Sequence, residues 1–172
     1  PEIVPFFCAL SNGKHTNMNF LVIQETDWIQ RGPHQQHHLF ERLSKSGHRV
    51  IVLDFEINYT PWPYSPLFAP RLICKRITRT DNEANVCVIR PATIRLPGLA
   101  RIVSMVTFFI ELMRITKTIR PDVIVNYAIS TGLCALAIAK IKNIPFALHI
   151  IDALHTLVPY RWLQPFAYWL ET

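Results

Sequence analysis

Short apolar runs alternate along the chain with amphipathic segments of helical length. Residues 19–24 and 49–55 are rich in β-branched side chains, the composition of strands buried in a parallel sheet. Between them, residues 34–46 place their apolar side chains on one helical stripe, and Gly47 follows as a suitable helix-ending residue. The pattern predicts a strand, a helix and a second strand in that order.

The same alternation continues through the rest of the chain. It predicts strands at 86–89, 122–126 and 145–151, and helices at 98–119 and from Ser130 to about residue 142. Helices that alternate with strands connect parallel strands and cover the sheet. We therefore expect an α/β fold with a Rossmann-like, mostly parallel sheet and helices on both faces.

The long helix at 98–119 has more apolar surface than one core face requires. We assign its core stripe to Ile102, Val103, Val106, Phe109 and Met113. Phe108 and Ile115 fall outside that stripe, close to basic residues. An apolar arc this wide is typical of a helix that also touches an anionic membrane surface or a partner domain. The alternative is that another part of the protein covers these side chains.

Composition narrows the class of protein. The chain has 172 residues, of which 50% are hydrophobic and 17% charged, enough for one core without disulfides. Its four cysteines form no CxxC pair, which favours a cytoplasmic protein. Charged residues interrupt the most hydrophobic stretch before it reaches the roughly 18 residues of a membrane-spanning helix. We therefore expect a cytoplasmic domain without a spanning segment.

The two ends of the chain differ from the middle. Residues 1–17 precede the first methionine and lack the features of a signal peptide, so we expect a poorly packed extension before a domain at 18–172. Five aromatic side chains crowd residues 160–172. Because such an apolar end normally docks on something further along, we expect the chain to be a piece of a longer protein.

The net charge of +6 is concentrated in one segment. Residues 71–120 contain ten basic and three acidic residues, a local net charge of +7. This segment overlaps the long helix, which predicts contact with an anionic membrane surface and peripheral association at the inner membrane face. Nucleic acid is not expected as a partner, because no recognised binding motif accompanies the basic residues.

Ligands of parallel sheets bind outside the carboxyl ends of the strands. The loops predicted at that edge are 25–33, 56–70, 91–97, 127–130 and 152–159. The loop 56–70 interleaves four prolines with aromatic side chains. It predicts either a stiff surface for a sugar-like ligand or an ordinary loop packed over the sheet edge.

The first of these loops has the composition of a phosphate site. It contains Arg31, Gly32 and Pro33 and leads into a helix. Unpaired N–H groups and the helix dipole at such a position can face a phosphate, and Gly32 permits its close approach. The chain has neither a GxGxxG fingerprint nor a P-loop, which argues against a dinucleotide-binding dehydrogenase.

Histidines and one carboxylate complete the predicted site. His34, His37 and His38 share helical spacing, but no carboxylate or cysteine completes a metal site, so we predict no metal and expect one histidine to point into the cleft. Asp152 and His155 follow the last strand, where a carboxylate can bind a hydroxyl and an imidazole can act as acid or base. We assign catalysis to Asp152 and His155, and substrate binding to Arg31, Gly32, His34, His38, Asn126, Tyr127 and Ser130, the last of which can instead simply cap its helix.

Taken in order, these pieces resemble the amino-terminal half of a GT-B glycosyltransferase of family 4, the glycosyltransferase group 1 type. The resemblance rests on residues 31–50 (RGPHQQHHLFERLSKSGHRV), 120–126 (RPDVIVN), 130–133 (STGL) and the strand entry at Ile144 before Asp152. Pro33 replaces one glycine that the family often has in the first loop, and Ile151 precedes Asp152 where the family often has a histidine.

The resemblance implies a function as well as a fold. It implies two Rossmann-like domains, with the acceptor bound mainly by the amino-terminal half and a nucleotide sugar, as co-substrate, mainly by the other half. It also implies retaining transfer without an obligatory metal or cofactor, with Gly32 near the donor phosphates and Asp152 as the aspartate after the fifth strand.

We therefore expect part of a glycosyltransferase, inactive by itself, that serves a sugar or lipid-linked acceptor at the membrane. One alternative is a non-catalytic Rossmann-like module that docks on a membrane or partner protein through residues 71–120. Another is a different GT-B or epimerase-like enzyme with the same fold.

Overall fold

The first strand, helix and strand form where the apolar pattern predicts them. The structure is a computed structural model that describes residues 17–55, 63–97, 99–127, 131–149 and 164–165. Strand β1 spans Asn19–Ile23, helix α1 spans Gln35–Lys45 and strand β2 spans Arg49–Leu53. Gly47 lies just beyond α1 with a φ of +95°, a conformation that favours glycine at the end of a helix.

The later elements include three strands that the apolar pattern does not predict. These are β3 (Phe68–Ala69), β4 (Leu72–Ile77) and β6 (Thr93–Ile94), whereas β5 (Val86–Arg90), α2 (Leu99–Thr118), β7 (Val123–Asn126), α3 (Gly132–Lys142) and β8 (Phe146–Leu148) match predicted elements. Thr131 is the N-cap residue of α3. Ser130, the cap that the sequence favours, lies outside the described residues.

Six strands form one sheet in the order β4-β5-β2-β1-β7-β8. All neighbours pair in parallel except β4, which runs antiparallel to β5 at one edge. The strands β3 and β6 form a separate antiparallel pair. Strand β1 lies between β2 and β7, so the chain builds the sheet outward from β1 in both directions. The carboxyl ends of β1 and β7 therefore flank the crevice where such folds bind ligands.

The core forms two layers, one on each face of the sheet. On one face α2 contributes Phe108 and Leu112 and α3 contributes Ile138. On the other face Phe40 of α1 and Trp28 of the first loop are fully buried. Alternate residues of each strand serve opposite faces, as the pleat requires. The predicted α/β class, with a mostly parallel sheet and helices on both faces, is confirmed.

The side of helix α2 that faces the core is opposite to the side that the sequence predicts. Ile102 is 61% exposed and Val106 56% exposed, whereas Phe108 and Ile115 are buried. Phe109 and Met113 are also exposed, and Val103 is half-buried. At 3.6 residues per turn, positions 102, 106, 109 and 113 lie opposite positions 104, 108, 111 and 115. The predicted core stripe is therefore wrong.

Polar side chains explain this choice of face. The inward stripe includes Ser104, whose hydroxyl lies 2.8 Å from the hydroxyl of Thr93. It also includes Glu111, which accepts hydrogen bonds from Arg71 and Arg114. Buried polar groups are tolerated when they are hydrogen-bonded. Because the apolar pattern counts such residues against the core, it selects the more apolar stripe instead.

Within the described ranges, no helix combines the length and the hydropathy that crossing a bilayer requires.

Candidate functional site

The carboxyl edge of the parallel strands brings together most of the described candidate residues. The first loop follows β1, Asp54 follows β2, Arg90 ends β5, and Asn126 ends β7. His149 follows β8, and its backbone N–H donates to the carbonyl of Asn126. This edge is therefore the candidate site.

An ion-pair cluster of Arg90, Asp27 and Asp54 is buried beneath the first loop. Arg90 Nη2 lies 2.8 Å from Asp27 Oδ1 and 2.7 Å from Asp54 Oδ2, and Arg90 Nε donates to Asp54 Oδ1 at 3.0 Å. Both carboxylates are fully buried. One guanidinium group thus joins the ends of β2 and β5 to the loop after β1.

The two carboxylates also hold the backbone of the first loop. Asp27 Oδ1 accepts the N–H groups of Ile29 and Gln30, and Asp54 Oδ2 accepts the N–H of Trp28. These charge-assisted bonds fix the loop that leads to Gly32. The shape of the candidate phosphate loop therefore depends on Asp27 within the loop and on Asp54 and Arg90 at the carboxyl ends of β2 and β5.

Burial determines the electrostatics of this cluster. It raises the pKa of the Asp54 carboxyl above its ordinary value, against the opposing hydrogen bonds and charge of Arg90. Burial also disfavours the charged Arg90, but the hydrogen bonds and charges of the two aspartates outweigh it and raise the pKa of the guanidinium group. The charges of the cluster therefore depend on one another.

Sequence reasoning missed this cluster, although one signal for it was available. Asp54 directly follows the apolar strand β2, and a carboxylate at the carboxyl end of a buried parallel strand is a candidate site residue. No comparable signal marks Asp27 or Arg90, because their pairing depends on how the chain folds.

Gly32 occupies a position that no other residue type fits without strain. Its φ is +90°, and a Cβ at this position would lie 2.9 Å from the backbone nitrogen of His34 and 3.0 Å from the ring of His37. Its carbonyl accepts a hydrogen bond from Arg79 at 3.5 Å. Gly32 and its predicted neighbour Arg31 are both exposed, so the described structure leaves this turn accessible.

The three histidines have different environments. His34 and His38 are exposed, whereas His37 is fully buried and its ring packs 4.1 Å from that of Trp28. His37 Nδ1 accepts the backbone N–H of His34, which assigns the proton to Nε2, where it is donated to the carbonyl of Trp28 at 3.1 Å. His37 is therefore a structural support of the loop, and the histidines left accessible are His34 and His38.

Acid is expected to destabilise the fold through His37. Burial lowers the pKa of His37 below its ordinary value of 6.5, against the opposing hydrogen bond to Trp28. As the pH falls below 6.5, the unfolded chain binds a proton that the folded chain does not. The free energy of unfolding should then decrease, by up to about 1.4 kcal/mol per pH unit from this residue, until the folded-state pKa is reached.

Urea unfolding between pH 7.5 and pH 5, in roughly half-unit steps, measures this slope. His37→Gln should flatten the slope below pH 6.5, whereas His38→Gln, on the same helix but exposed, should keep it. Parallel stability curves for the wild type and His37→Gln would contradict the assignment.

Asn126 and Tyr127 form the opposite side of the crevice. Asn126 is fully buried at the end of β7, and its amide nitrogen lies 2.8 Å from where a Cβ on Gly132 would be. Tyr127 packs against His149, with ring centroids 4.8 Å apart, and edge-on against Phe40 of α1. Burial raises the pKa of Tyr127 to about 12, so its hydroxyl stays protonated at neutral pH.

Glu25 links the two sides of the crevice. Its Oε1 accepts the backbone N–H of Thr131 at 3.0 Å, which places a carboxylate at the amino-terminal end of α3, where the helix dipole favours negative charge. The loop after β1 is thereby joined to the helix after β7. Sequence reasoning did not single out Glu25, because its partner lies more than one hundred positions away.

Three predicted site residues, Ser130, Asp152 and His155, lie outside the described residues, as do the loop 152–159 and residues 56–62 of the proline-rich loop. The structure therefore brings Gly32, His34, Asn126 and Tyr127 to one edge and does not test the predicted catalytic pair. In the part of the chain that is described, no three His, Cys, Asp or Glu side chains are grouped so that they could hold a metal ion.

Comparison with known proteins agrees with the fold. No curated protein sequence matches the chain significantly. The sequence profile of the family described as Glycosyltransferase Family 4 matches residues 35–172, which includes α1 and every later element of the sheet. The chain therefore belongs to Glycosyltransferase Family 4, the amino-terminal domain family of GT-B glycosyltransferases.

Proposed function

We propose that the protein transfers a sugar from a nucleotide-sugar donor to a sugar or lipid-linked acceptor, with retention of configuration and without a metal ion. We further propose that it works in the cytoplasm, peripherally at the inner membrane face. The observation that supports the proposal most directly is the turn at Gly32, where a φ of +90° admits only glycine without strain, in the loop between β1 and the amino-terminal end of α1.

The donor phosphates are proposed to lie at this turn. The leaving nucleoside diphosphate gains negative charge in the transition state, and fixed N–H dipoles stabilise such charge. The N–H of His34 is already donated to His37, so the donors must come from the next residues. The first-turn N–H groups of Gln35 and Gln36 have no partner within the helix, and the side chain of His34 is exposed beside them.

The acceptor is proposed to bind on the side formed by Asn126 and Tyr127. A tyrosine that packs against an imidazole offers an aromatic face to a sugar ring, and its protonated hydroxyl can donate a hydrogen bond. Asp152 and His155 are the proposed catalytic residues. In this assignment Asp152 binds the acceptor hydroxyl, and His155 accepts or donates its proton.

The experiment is a transfer assay on the full-length protein, with a panel of nucleotide sugars and both soluble and lipid-linked acceptors. Release of nucleoside diphosphate together with a glycosylated product is expected, and the activity should persist in EDTA. Gly32→Ala and Asp152→Asn should each lower kcat/KM by at least about tenfold, which corresponds to about 1.4 kcal/mol of transition-state stabilisation.

Gly47→Ala is the matched control for Gly32→Ala. Gly47 has a similar φ of +95°, so alanine strains the φ angle in the same way, but it lies at the other end of α1 and its Cβ would meet only the side chain of Asn17, at 3.3 Å. The control should lower stability without lowering kcat/KM. Absence of turnover with every donor would refute the proposed activity, and equal kcat/KM losses in both variants would remove Gly32 from the site.

A further inference from the structure

The outward side of α2 is an apolar surface without a partner in the described structure. We define the outer face of α2 as the seven side chains Leu99, Ile102, Met105, Val106, Phe109, Ile110 and Met113, all of which are between 37% and 61% exposed. They follow one another at helical spacing over about four turns. Apolar residues scattered singly on a surface are ordinary, but a continuous apolar stripe marks an interaction site.

The two sides of α2 differ in a way that packing alone does not explain. The side that faces the sheet includes the polar residues Ser104, Glu111 and Thr116, all of them buried. Between positions 99 and 113, every described side chain that is exposed is apolar. The more apolar side of the helix therefore faces outward, which implies that its normal surroundings are not water alone.

The exposed charged side chains described on α2 are all basic. The single acidic residue between positions 99 and 120 is Glu111, which is buried and hydrogen-bonded to Arg71 and Arg114. Arg114 and Lys117 are exposed on the same helix. A helix with an apolar stripe, exposed basic side chains and no exposed acidic side chain suits the surface of an anionic membrane, where apolar chains lie beneath charged headgroups.

A groove of about 270 Å³ adjoins this face. It is lined by Arg71, Arg114, Thr107 and Glu111 and by the apolar residues Pro91, Ala92 and Ile110. The bonds to Glu111 engage only a minority of the N–H groups of the two arginines, and the pair keeps a net positive charge after neutralising one carboxylate. This net positive charge can attract a phosphate group to the groove, and Ile110 belongs to both the groove and the outer face.

We propose that the outer face of α2 docks on a membrane that contains anionic phospholipids. The apolar side chains enter the interfacial region, Arg71 and Arg114 bind a lipid phosphate in the groove, and Lys117 meets neighbouring headgroups. This inference names the docking surface of the membrane association proposed above, and it holds whether or not the protein transfers a sugar.

Vesicle flotation of the full-length protein tests the docking surface without donor or acceptor. Vesicles of phosphatidylcholine with phosphatidylglycerol should bind the protein at least about tenfold more strongly than phosphatidylcholine alone. The double variant Val106→Glu/Phe109→Glu should lose at least about tenfold of this binding, and Arg114→Gln should lose about fivefold. Circular dichroism confirms that each variant is folded.

Ile141→Glu is the control, because Ile141 is 71% exposed on α3 and gains one negative charge, half of what the double variant gains, on a helix other than α2. It should bind vesicles as the wild type does. Equal binding to neutral and anionic vesicles, or full binding by the double variant, would overturn the proposal. Light scattering gives the oligomeric state. If the wild type is a dimer and the double variant a monomer, the outer face binds a second copy of the chain, and the proposal is overturned as well.

Discussion

Replacing Arg90 with methionine is expected to destabilise the protein by about 3–5 kcal/mol, because it leaves two buried carboxylates without their counter-charge. Asp27 and Asp54 are fully buried, and both are bonded to the same guanidinium nitrogen. Methionine keeps much of the side-chain volume, so the loss reports charge rather than a cavity. The expected loss is a large share of the stability of a typical domain.

Urea unfolding at pH 7 and pH 5 measures this effect and its origin. Without Arg90 the pKa of Asp54 should rise further in the folded state, so that protonation of its carboxyl stabilises the folded chain as the pH falls. The difference between variant and wild type should therefore be smaller at pH 5. An unchanged difference would show that packing, and not charge, is lost.

Lys45→Met provides the control for Arg90→Met. Lys45 also pairs with two carboxylates, Asp81 at 3.3 Å and Glu83 at 2.9 Å, but its side chain is half exposed. Exposed ion pairs contribute little because water and salt screen them. The midpoint of urea unfolding should move little in this variant. A shift as large as that of Arg90→Met would refute the claim that the buried ion pairs contribute more stability than the exposed ones.

The Arg90 cluster also connects stability to the candidate site. Asp27 and Asp54 hold the backbone between Trp28 and Gln30, directly before the Gly32 turn. A change at Arg90 should therefore loosen the turn even in molecules that remain folded. The buried ion pairs that stabilise the fold therefore also hold the loop that is proposed to bind the donor.

The elements that depend on local sequence could be predicted. The run of β-branched residues in β1 and β2, the amphipathic stripe of α1 and the glycine after it lie within one stretch of chain, and each is decided by neighbours a few positions away. The Gly32 turn was predicted for the same reason. Its glycine and the helix that follows are adjacent in sequence.

The features that depend on distant contacts could not be predicted. Strand β4 has no fully buried residue and includes Lys75 and Arg76, so only its pairing with β5 identifies it as an edge strand. The predicted orientation of α2 is wrong because the carboxylate of Glu111 can be buried only when it accepts a hydrogen bond. One donor of that bond, Arg71, lies forty positions away. Apolar periodicity contains no information about such partners.

Glu41→Gln is expected to destabilise the protein by about 2–4 kcal/mol through the loss of one buried carboxylate. Glu41 is fully buried on α1 and accepts the backbone N–H groups of Arg79, Thr80 and Asp81, each between 2.7 and 2.8 Å. The hydroxyl of Thr80 donates to it as well. These bonds attach α1 to the turn between β4 and β5.

Glutamine has nearly the same shape, but it turns an NH₂ group toward donors that need an acceptor, and it removes the charge that strengthens the remaining bonds. Glu83→Gln is the matched control, since Glu83 is 73% exposed and pairs only with Lys45 among the ion pairs of the described chain. Urea unfolding should separate the two variants clearly. Hydrogen exchange should show that Glu41→Gln deprotects the amides of Thr80 and Asp81 first, because the carboxylate, and not the sheet, holds that turn to α1.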